Sequence, residues 1–303
     1  MITMLQHWTA VEVRALQAAR RMSNIEFGAH LGVAPSTIER WVQVERPIKP
    51  RPVNQAALDT SLRSLTFEER RRFTALVPDS VREEEDTDLP EQPVLKLHPV
   101  DGKTMAWIPE GIYLAGAAER PVWVAGYWID VFPVTNADFA RFVSATGHPA
   151  PQHWEGPQPP QAFVDHPVVW VTYDDATSYA EWARKQLPTS AQWEKAARGI
   201  HGDLWPWGNA ATPAKCNSRG SRIDSTTPVD QYKSGASVYG VFDLCGNTWE
   251  WQSTRTTGDR YELKGGSFSS PFDRAAPAAF NDAHREMLDN DTGFRCVATA
   301  FAK

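Results

Sequence analysis

The chain has 303 residues, of which 42% are hydrophobic and 22% are charged. This is enough for about two domains with buried cores, and it excludes a collagen-like or wholly disordered chain. No run of about 18 apolar residues is present, so the sequence predicts no transmembrane helix and no membrane partner. The three cysteines, Cys216, Cys245 and Cys296, are too few and too widely spaced for a disulfide framework. Without a secretory signal, this pattern predicts a cytoplasmic protein.

Charge is distributed unevenly along the chain. Residues 1–78 contain 11 Lys and Arg against seven Asp and Glu, a net charge of +4, whereas the remainder carries −10. A basic N-terminal segment followed by an acidic remainder indicates that the N-terminal segment alone binds nucleic acid.

The front of the chain, residues 9–76, shows a series of helices joined by tight turns. Ser23 and Glu26 have the spacing of a capping box, which predicts a helix that ends before Gly32. Pro35 suits the first turn of a second helix over residues 35–44. We expect the Pro-containing stretch over residues 47–52 to be extended.

The second of these helices has two distinct faces. Ile38 and Trp41 are spaced to pack inward. The opposite face carries side chains that can read base edges, namely Ser36, Thr37, Arg40 and Gln43.

The stretches ALQAARRMSNIEFGAHLGVAPSTIERWV and RPRPVNQAALDTSL resemble the Cro/repressor-like (XRE) helix-turn-helix family. The resemblance implies double-stranded DNA as a partner and a homodimer on a palindromic site. It implies base contacts from Thr37 and Arg40, with Gln43 beside them. The implied phosphate contacts come from Asn24, Ser36, Arg46, Lys49 and Arg51. The alternative is a helical module that binds protein in a defence or signalling complex.

Composition changes again after the helical front. We predict a helix-turn-helix domain over residues 1–77, an acidic Pro-containing linker over 78–103, and a second domain over 104–303. In the second domain, stretches that begin at Thr135, Thr172 and Thr189 predict the starts of three helices among short strands, the third with Gln192 at the capping-box position.

The second domain contains an ordered series of motifs. They are MAWIPEGIYLAG, YWIDVFPVTNADFARFVSATGH, HPVVWVTYDDATSYAEWARKQLPTSAQWEKAARG, WPWGN, PVDQY, YGVFDLCGNTWEW, LKGGSF and TGFRC. Together they resemble the formylglycine-generating enzyme family, also called the sulfatase-modifying factor domain. The resemblance implies an α+β C-type-lectin-like fold with little regular secondary structure, joined here to a small all-α domain.

The resemblance also implies where a copper ion would bind. The family's oxidases hold Cu(I) with two thiols five positions apart after the GGS motif, because Cu(I) prefers thiolate ligands. Those positions are Ser270 and Ala275 in this chain. We therefore do not expect copper, and we favour a binding function over catalysis. A formylglycine-generating or related non-haem oxidase remains the alternative.

Calcium is the metal that the resemblance favours, in a structural role. The first implied site uses Asp243, Gly246, Thr248 and Glu250, and the second uses Asn217, Ser218 and Asp224. For Glu250 a buried salt bridge to Arg295 is the alternative, since a buried carboxylate needs a partner either way.

The segment between GGS and GFR lines the ligand surface in this fold. Its aromatic and polar side chains suit recognition of a ligand, peptide or protein, as in the variable proteins that share the fold. The candidate ligand-binding residues are Phe268, Ser269, Ser270, Phe272, Asp273, Arg274, Phe280, Asn281, Asp282, His284 and Arg285.

Overall fold

The computed structural model describes residues 8–43, 50–63, 65–77 and 92–300. The chain divides into two compact units, residues 1–89 and residues 90–303. In these described ranges no helix combines the length and the apolarity that a membrane crossing requires.

The described part of the first unit is helical. Its helices are α1 (Ala10–Ala19), α2 (Asn24–Leu31), α3 (Pro35–Trp41), α4 (Pro52–Arg63) and α5 (Phe67–Leu76). The predicted capping box is confirmed, because the Ser23 side chain caps α2 and Glu26 bonds back to the Ser23 backbone. Gly32 ends α2 with φ +70°, a left-handed conformation that glycine adopts without steric cost. The core of this unit includes Val13, Leu16, Phe27, Ile38, Trp41, Leu58, Leu62 and Phe73.

Two local predictions in this unit need correction. Helix α3 ends at Trp41 rather than at Val44, which lies in the segment 44–49 outside the described residues. Pro52 does not continue an extended stretch but begins α4. A proline at the first helical position loses no hydrogen bond, because that N–H has no partner within the helix.

The second unit combines helices with short strands. Its helices are α6 (Asn136–Thr146), α7 (Tyr173–Trp182) and α8 (Ser190–Arg198). Its strands are β1 (Leu95–Leu97), β2 (Thr104–Ile108), β3 (Gly111–Ala115), β4 (Arg120–Val124), β5 (Tyr127–Asp130), β6 (Trp249–Arg255), β7 (Arg260–Lys264), β8 (Phe280–His284), β9 (Thr292–Gly293) and β10 (Val297–Ala298).

These strands form small sheets rather than one large one. One sheet has the order β1-β2-β5-β10 and is antiparallel. A hairpin pairs β3 with β4, and a further sheet has the order β8-β7-β6-β9, in which only β6 and β9 run parallel. Much of the remaining chain is turns and 3₁₀ segments. The mixed helix and sheet predicted for this part of the chain is confirmed.

All three predicted helices of the second unit are present, each with its capping box. The apolar faces of α6 and α7 meet in one core, where Phe139 of α6 stacks on Tyr179 of α7 with ring centroids 6.0 Å apart. Trp193 of α8 is fully buried. The periodic apolar positions therefore face inward, as their spacing predicts.

The stretch predicted as linker is shorter than 78–103. Strand β1 lies within it, and the following turn buries Asp101. The Asp101 carboxylate accepts a 2.7 Å hydrogen bond from the ammonium of Lys185, and both side chains are completely buried. Because a buried ammonium needs a charged partner, residues 95–103 belong to the folded unit.

Candidate functional site

The two positions that hold thiols in the family's oxidases lie around a tight turn after β7. Ser270 Oγ accepts a hydrogen bond from the Ser267 backbone N–H at 3.1 Å. Ala275 closes a 3₁₀ turn and is fully buried. A Cβ on Gly266 would lie 2.6 Å from the Ala275 Cα, so glycine is needed for this close approach. A hydroxyl and a methyl group cannot supply thiolate ligands, so these residues do not fit a copper ion.

A buried carboxylate organises the serines of this turn. Asp291 Oδ2 accepts hydrogen bonds from the hydroxyls of Ser267 and Ser269, each at 2.7 Å. Ser267 is buried, whereas Ser269 is exposed. The turn therefore presents a hydroxyl at the surface, held in place by a carboxylate below it. Asp291 is absent from the site residues predicted above, because it lies 22 positions from Ser269 and no local pattern connects them.

An aromatic stack lies beside this turn. The rings of Trp205 and Phe272 are stacked with centroids 4.0 Å apart, and Trp207 stacks on Trp205 at 5.8 Å. The Lys215 ammonium lies 5.7 Å from the centre of the Trp207 ring. Trp205 and Phe272 pack in one cluster with Ala275. In the sequence, the WPWGN motif indicates only the family resemblance. Its position beside this turn is set by the tertiary structure.

The predicted ligand surface is only partly available for binding. Asp282 is paired with Arg260 at 2.8 Å, and Arg285 is paired with Asp174. Phe268 is largely buried. The exposed residues of the predicted set are Ser269, Asp273, Arg274, Phe280, Asn281 and His284, and Phe272 is half-buried. Phe280, Asn281 and His284 lie on β8, which is an edge strand.

Glu250 of the first predicted calcium site has other partners. Its carboxylate accepts hydrogen bonds from the Arg295 guanidinium at 2.6 and 2.7 Å and from the Trp193 indole N–H at 2.7 Å. Neither Glu250 nor Arg295 has any exposed side-chain surface. Both carboxylate oxygens are thus already used, and the salt bridge is the correct alternative for this residue.

The rest of that site retains features that suit a cation. Asp243 is buried with φ +54°, and its Oδ2 accepts a 2.8 Å hydrogen bond from the Asn247 amide. Burial raises the pKa of Asp243 to about 7. Thr248 Oγ1 is buried and has no hydrogen-bond partner within the described part of the chain. Among the described residues no three His, Cys, Asp or Glu side chains are grouped to hold a metal ion, so a cation here would depend on backbone carbonyls as well.

The second predicted calcium site brings two oxygens together. The Asn217 side-chain oxygen and the Ser218 carbonyl oxygen each lie 2.8 Å from the Ser221 hydroxyl. Asp224 is exposed, with φ +56°. Two of the three predicted oxygens therefore lie close together, around the Ser221 hydroxyl.

The predicted DNA-contacting residues of the first unit lie largely at the surface. Ser36, Arg40 and Gln43 are exposed, and Thr37 is half-buried. The Asn24 side chain accepts a 2.7 Å hydrogen bond from the Gln17 amide. Arg51 is exposed, while Arg46 and Lys49 lie outside the described residues.

Comparison with known proteins gives a family for the second unit. Residues 91–300 match the family described as the sulfatase-modifying factor enzyme 1-like domain. The formylglycine-generating enzyme of Thermomonospora curvata is 31% identical over a match that covers 65% of this chain and 93% of that protein. The inactive C-alpha-formylglycine-generating enzyme 2 of Mus musculus is 28% identical, covering 69% and 90%.

A further relative is longer than the matched part. The uncharacterized protein YfmG of Bacillus subtilis is 32% identical over 59% of this chain, and the chain spans about half (47%) of its length. Solved structures with the same fold include PvdO from Pseudomonas aeruginosa, with a TM-score of 0.58, 20% identity, and 69% and 99% of the two chains covered. Another is Treponema denticola variable protein 1, with a TM-score of 0.55, 19% identity, and 69% and 100% covered. This chain therefore belongs to the family of sulfatase-modifying factor enzyme 1-like domains, homologous to formylglycine-generating enzymes.

Proposed function

We propose that this chain is a DNA-binding regulatory protein whose formylglycine-generating-enzyme-like domain binds a ligand, peptide or protein instead of oxidising a thiol. One observation carries the proposal for this domain. A hydrogen-bonded serine and a buried alanine occupy the two positions at which the family's oxidases use thiols. Similarity to a mouse protein named as inactive supports it, because the family evidently includes members without this activity.

The surroundings of that turn suggest what the domain binds. Ser269 donates its one hydroxyl proton to Asp291, which fixes its position, so the exposed hydroxyl can accept a hydrogen bond from a donor group of a polar ligand. The nearby rings of Trp207 and Phe272 are half-buried and stack against the buried Trp205, so they offer apolar surface with little side-chain entropy to lose. A ligand with a flat apolar part beside a polar group fits both features.

The direct test is an assay for conversion of cysteine to formylglycine. We expect the purified full-length chain, loaded with Cu(I) and supplied with oxygen, to leave a cysteine-containing sulfatase peptide unchanged by mass spectrometry. The Thermomonospora curvata enzyme, assayed in parallel, provides the positive control. Formylglycine formed by the wild-type chain would overturn the proposal for this domain.

The DNA-binding part of the proposal belongs to the first unit. It is supported by the net charge of +4 over residues 1–78 and by the exposed polar side chains of α3. It also rests on the resemblance to Cro/repressor-like proteins, which bind as dimers to palindromic sites. We therefore propose a homodimer on double-stranded DNA.

Arg40→Ala is expected to abolish enrichment of a specific site when genomic fragments are selected at about 150 mM salt. A bidentate contact from arginine to guanine is worth about 1–3 kcal/mol, or roughly a fivefold to 150-fold change in affinity. Arg120→Ala, which removes an exposed arginine from the other unit, is the matched control and should keep full enrichment. Binding that is absent in the wild type, or that does not weaken as salt is raised, would favour a protein-interaction module.

We also propose that Ca²⁺ binds at Asp243 with the backbone carbonyls of Gly246 and Thr248, and more weakly at Asn217, Ser218 and Asp224. Bound Ca²⁺ would supply structural cross-linking of loops, since it accepts six to eight oxygen ligands. Glu250 takes no part in this proposal, because its oxygens are bonded to Arg295 and Trp193.

Calcium should raise the melting temperature of the full-length chain relative to the chelator-treated sample. Ligand at about 100 times its Kd stabilises a protein by about 2.7 kcal/mol. The comparison requires Asp243→Asn, which keeps the size of the side chain and removes its charge, and this variant should show a much smaller calcium-dependent rise. Equal rises in both proteins, or none in the wild type, would contradict the site.

A further inference from the structure

Two cysteines that are 29 positions apart in the sequence meet in the second unit. Cys216 and Cys245 are each 2% exposed, and they pack in one cluster with Trp205 and Ala275. The Cys245 thiol is hydrogen-bonded with the Cys216 thiol. Both are free thiols.

The backbone places these thiols on neighbouring paired segments. Asn217 and Gly246, the residues that follow the two cysteines, form an isolated parallel β-bridge. The Asn247 N–H donates to the Asn217 carbonyl at 2.7 Å, which holds the segments together. Paired strands lie about 4.8 Å apart, and disulfides span Cα separations of about 4.4–6.8 Å. A disulfide therefore needs no large movement of the backbone.

We propose that Cys216 and Cys245 are a reversible oxidation site, at which a low-molecular-weight disulfide converts the two thiols into an intramolecular disulfide. One cysteine, as the thiolate, attacks a sulfur of the small disulfide and releases one small thiol. The second cysteine then attacks the resulting mixed disulfide, forms the bond between Cys216 and Cys245, and releases the second small thiol. Two protein thiols are oxidised, one small disulfide is reduced to two thiols, and excess small thiol reverses the reaction.

The surroundings of Cys216 indicate how the reaction would begin. Its Sγ lies 3.7 Å from the Pro213 carbonyl oxygen, in the 3₁₀ turn Pro213–Lys215. Pro213 and Ala214 lie at least partly at the surface, so opening of this one turn admits the oxidant. Because both thiols are buried, the oxidant reaches them only when this turn opens, so exchange is slow and is limited by the opening.

The product would constrain the loop between the two cysteines. The disulfide would enclose 28 residues, 217–244, and a loop of this size restricts the unfolded chain substantially. We expect the oxidised full-length protein to melt at a temperature higher by on the order of 5 °C. The same bond would fix the positions of Trp205 and Ala275, which pack against it.

The experiment equilibrates the full-length chain with oxidised and reduced glutathione, unfolds it in denaturant, and alkylates the free thiols. We expect the number of alkylated cysteines to fall from three to one, with Cys296 remaining free because no second cysteine packs against it among the described residues. Trypsin cleavage should then yield peptide 216–219 linked to peptide 234–255. Reduction should restore three alkylated thiols and the lower melting temperature.

Two variants keep the test specific. Cys296→Ser should still form the link, and Cys216→Ser should keep two alkylated thiols at every glutathione ratio. If Cys216→Ser fails to fold, the peptide map of the wild-type protein alone shows whether Cys216 is linked to Cys245. Three alkylated thiols after equilibration with pure oxidised glutathione, or links that involve Cys296 as often as Cys216, would overturn the proposal.

Discussion

Arg295→Met should lower the free energy of unfolding of the second unit by about 3–5 kcal/mol, the usual effect of removing one partner of a buried ion pair. The guanidinium bonds both oxygens of Glu250. It also donates to backbone carbonyls, which are those of Asp130, Val131, Phe242 and Asp243. Methionine fills similar space but makes none of these bonds. Since domains are stable by about 5–15 kcal/mol, such a loss removes much of the total.

Urea unfolding, followed by circular dichroism, measures this effect. The control is Arg255→Met, because Arg255 and Asp259 form a pair whose side chains are 58% and 53% exposed. Exposed pairs contribute about 0–1 kcal/mol, so this variant should unfold close to the wild type. The double variant Arg295→Met with Glu250→Leu should be more stable than Arg295→Met alone, because it leaves no unpaired buried charge. Equal destabilisation by the two arginine variants would contradict the role assigned to Arg295.

Gly246→Ala is the second change with a large expected effect, a loss of at least about 4 kcal/mol in the free energy of unfolding. A Cβ at this position would lie 2.2 Å from the Asn217 carbonyl oxygen, and the residue has φ +79°. The clashing atom is the Asn217 carbonyl oxygen, which belongs to the backbone and cannot move aside as a flexible side chain would. The Gly246 N–H donates to the Gly265 carbonyl at 2.7 Å and fixes the segment from its other side.

Gly147→Ala separates the clash from the backbone strain. Gly147 has φ +73° at the end of α6, and among the described residues a Cβ there would meet no non-neighbouring atom within 4 Å. Strain alone costs about 1–2 kcal/mol for a left-handed residue other than glycine. Thermal and urea unfolding of the two variants should therefore differ clearly. Similar losses at the two positions would show that the close approach of Asn217 does not matter.

Features that depend on neighbours in the sequence were predicted well. The capping boxes at Ser23, Thr135, Thr172 and Thr189 all begin helices as expected. A capping box needs only residues three positions apart, so its signal is complete within one short segment. The end of α3 and the start of α4 were predicted less well, since helix ends depend on weaker and competing preferences.

The partners of buried charges could not be predicted in the same way. The sequence left a cation and Arg295 as alternatives for Glu250, and it gave no sign that Asp101 would pair with Lys185. These partners lie 45 and 84 positions apart. Their pairing follows from the need to satisfy charge inside a packed core, which no local pattern records.

The sequence by itself determined the family of the second unit, the starts of the helices at Ser23, Thr135, Thr172 and Thr189, and the absence of thiols at Ser270 and Ala275. These follow from residue identity and from spacing along the chain. Only the tertiary structure decided that Asp291 holds the serines of that turn, that Trp205 stacks on Phe272, and that Cys216 meets Cys245. Each of these contacts joins segments that are distant in sequence, and only the packing of the folded chain brings them together, because no local pattern of residues specifies such a partner.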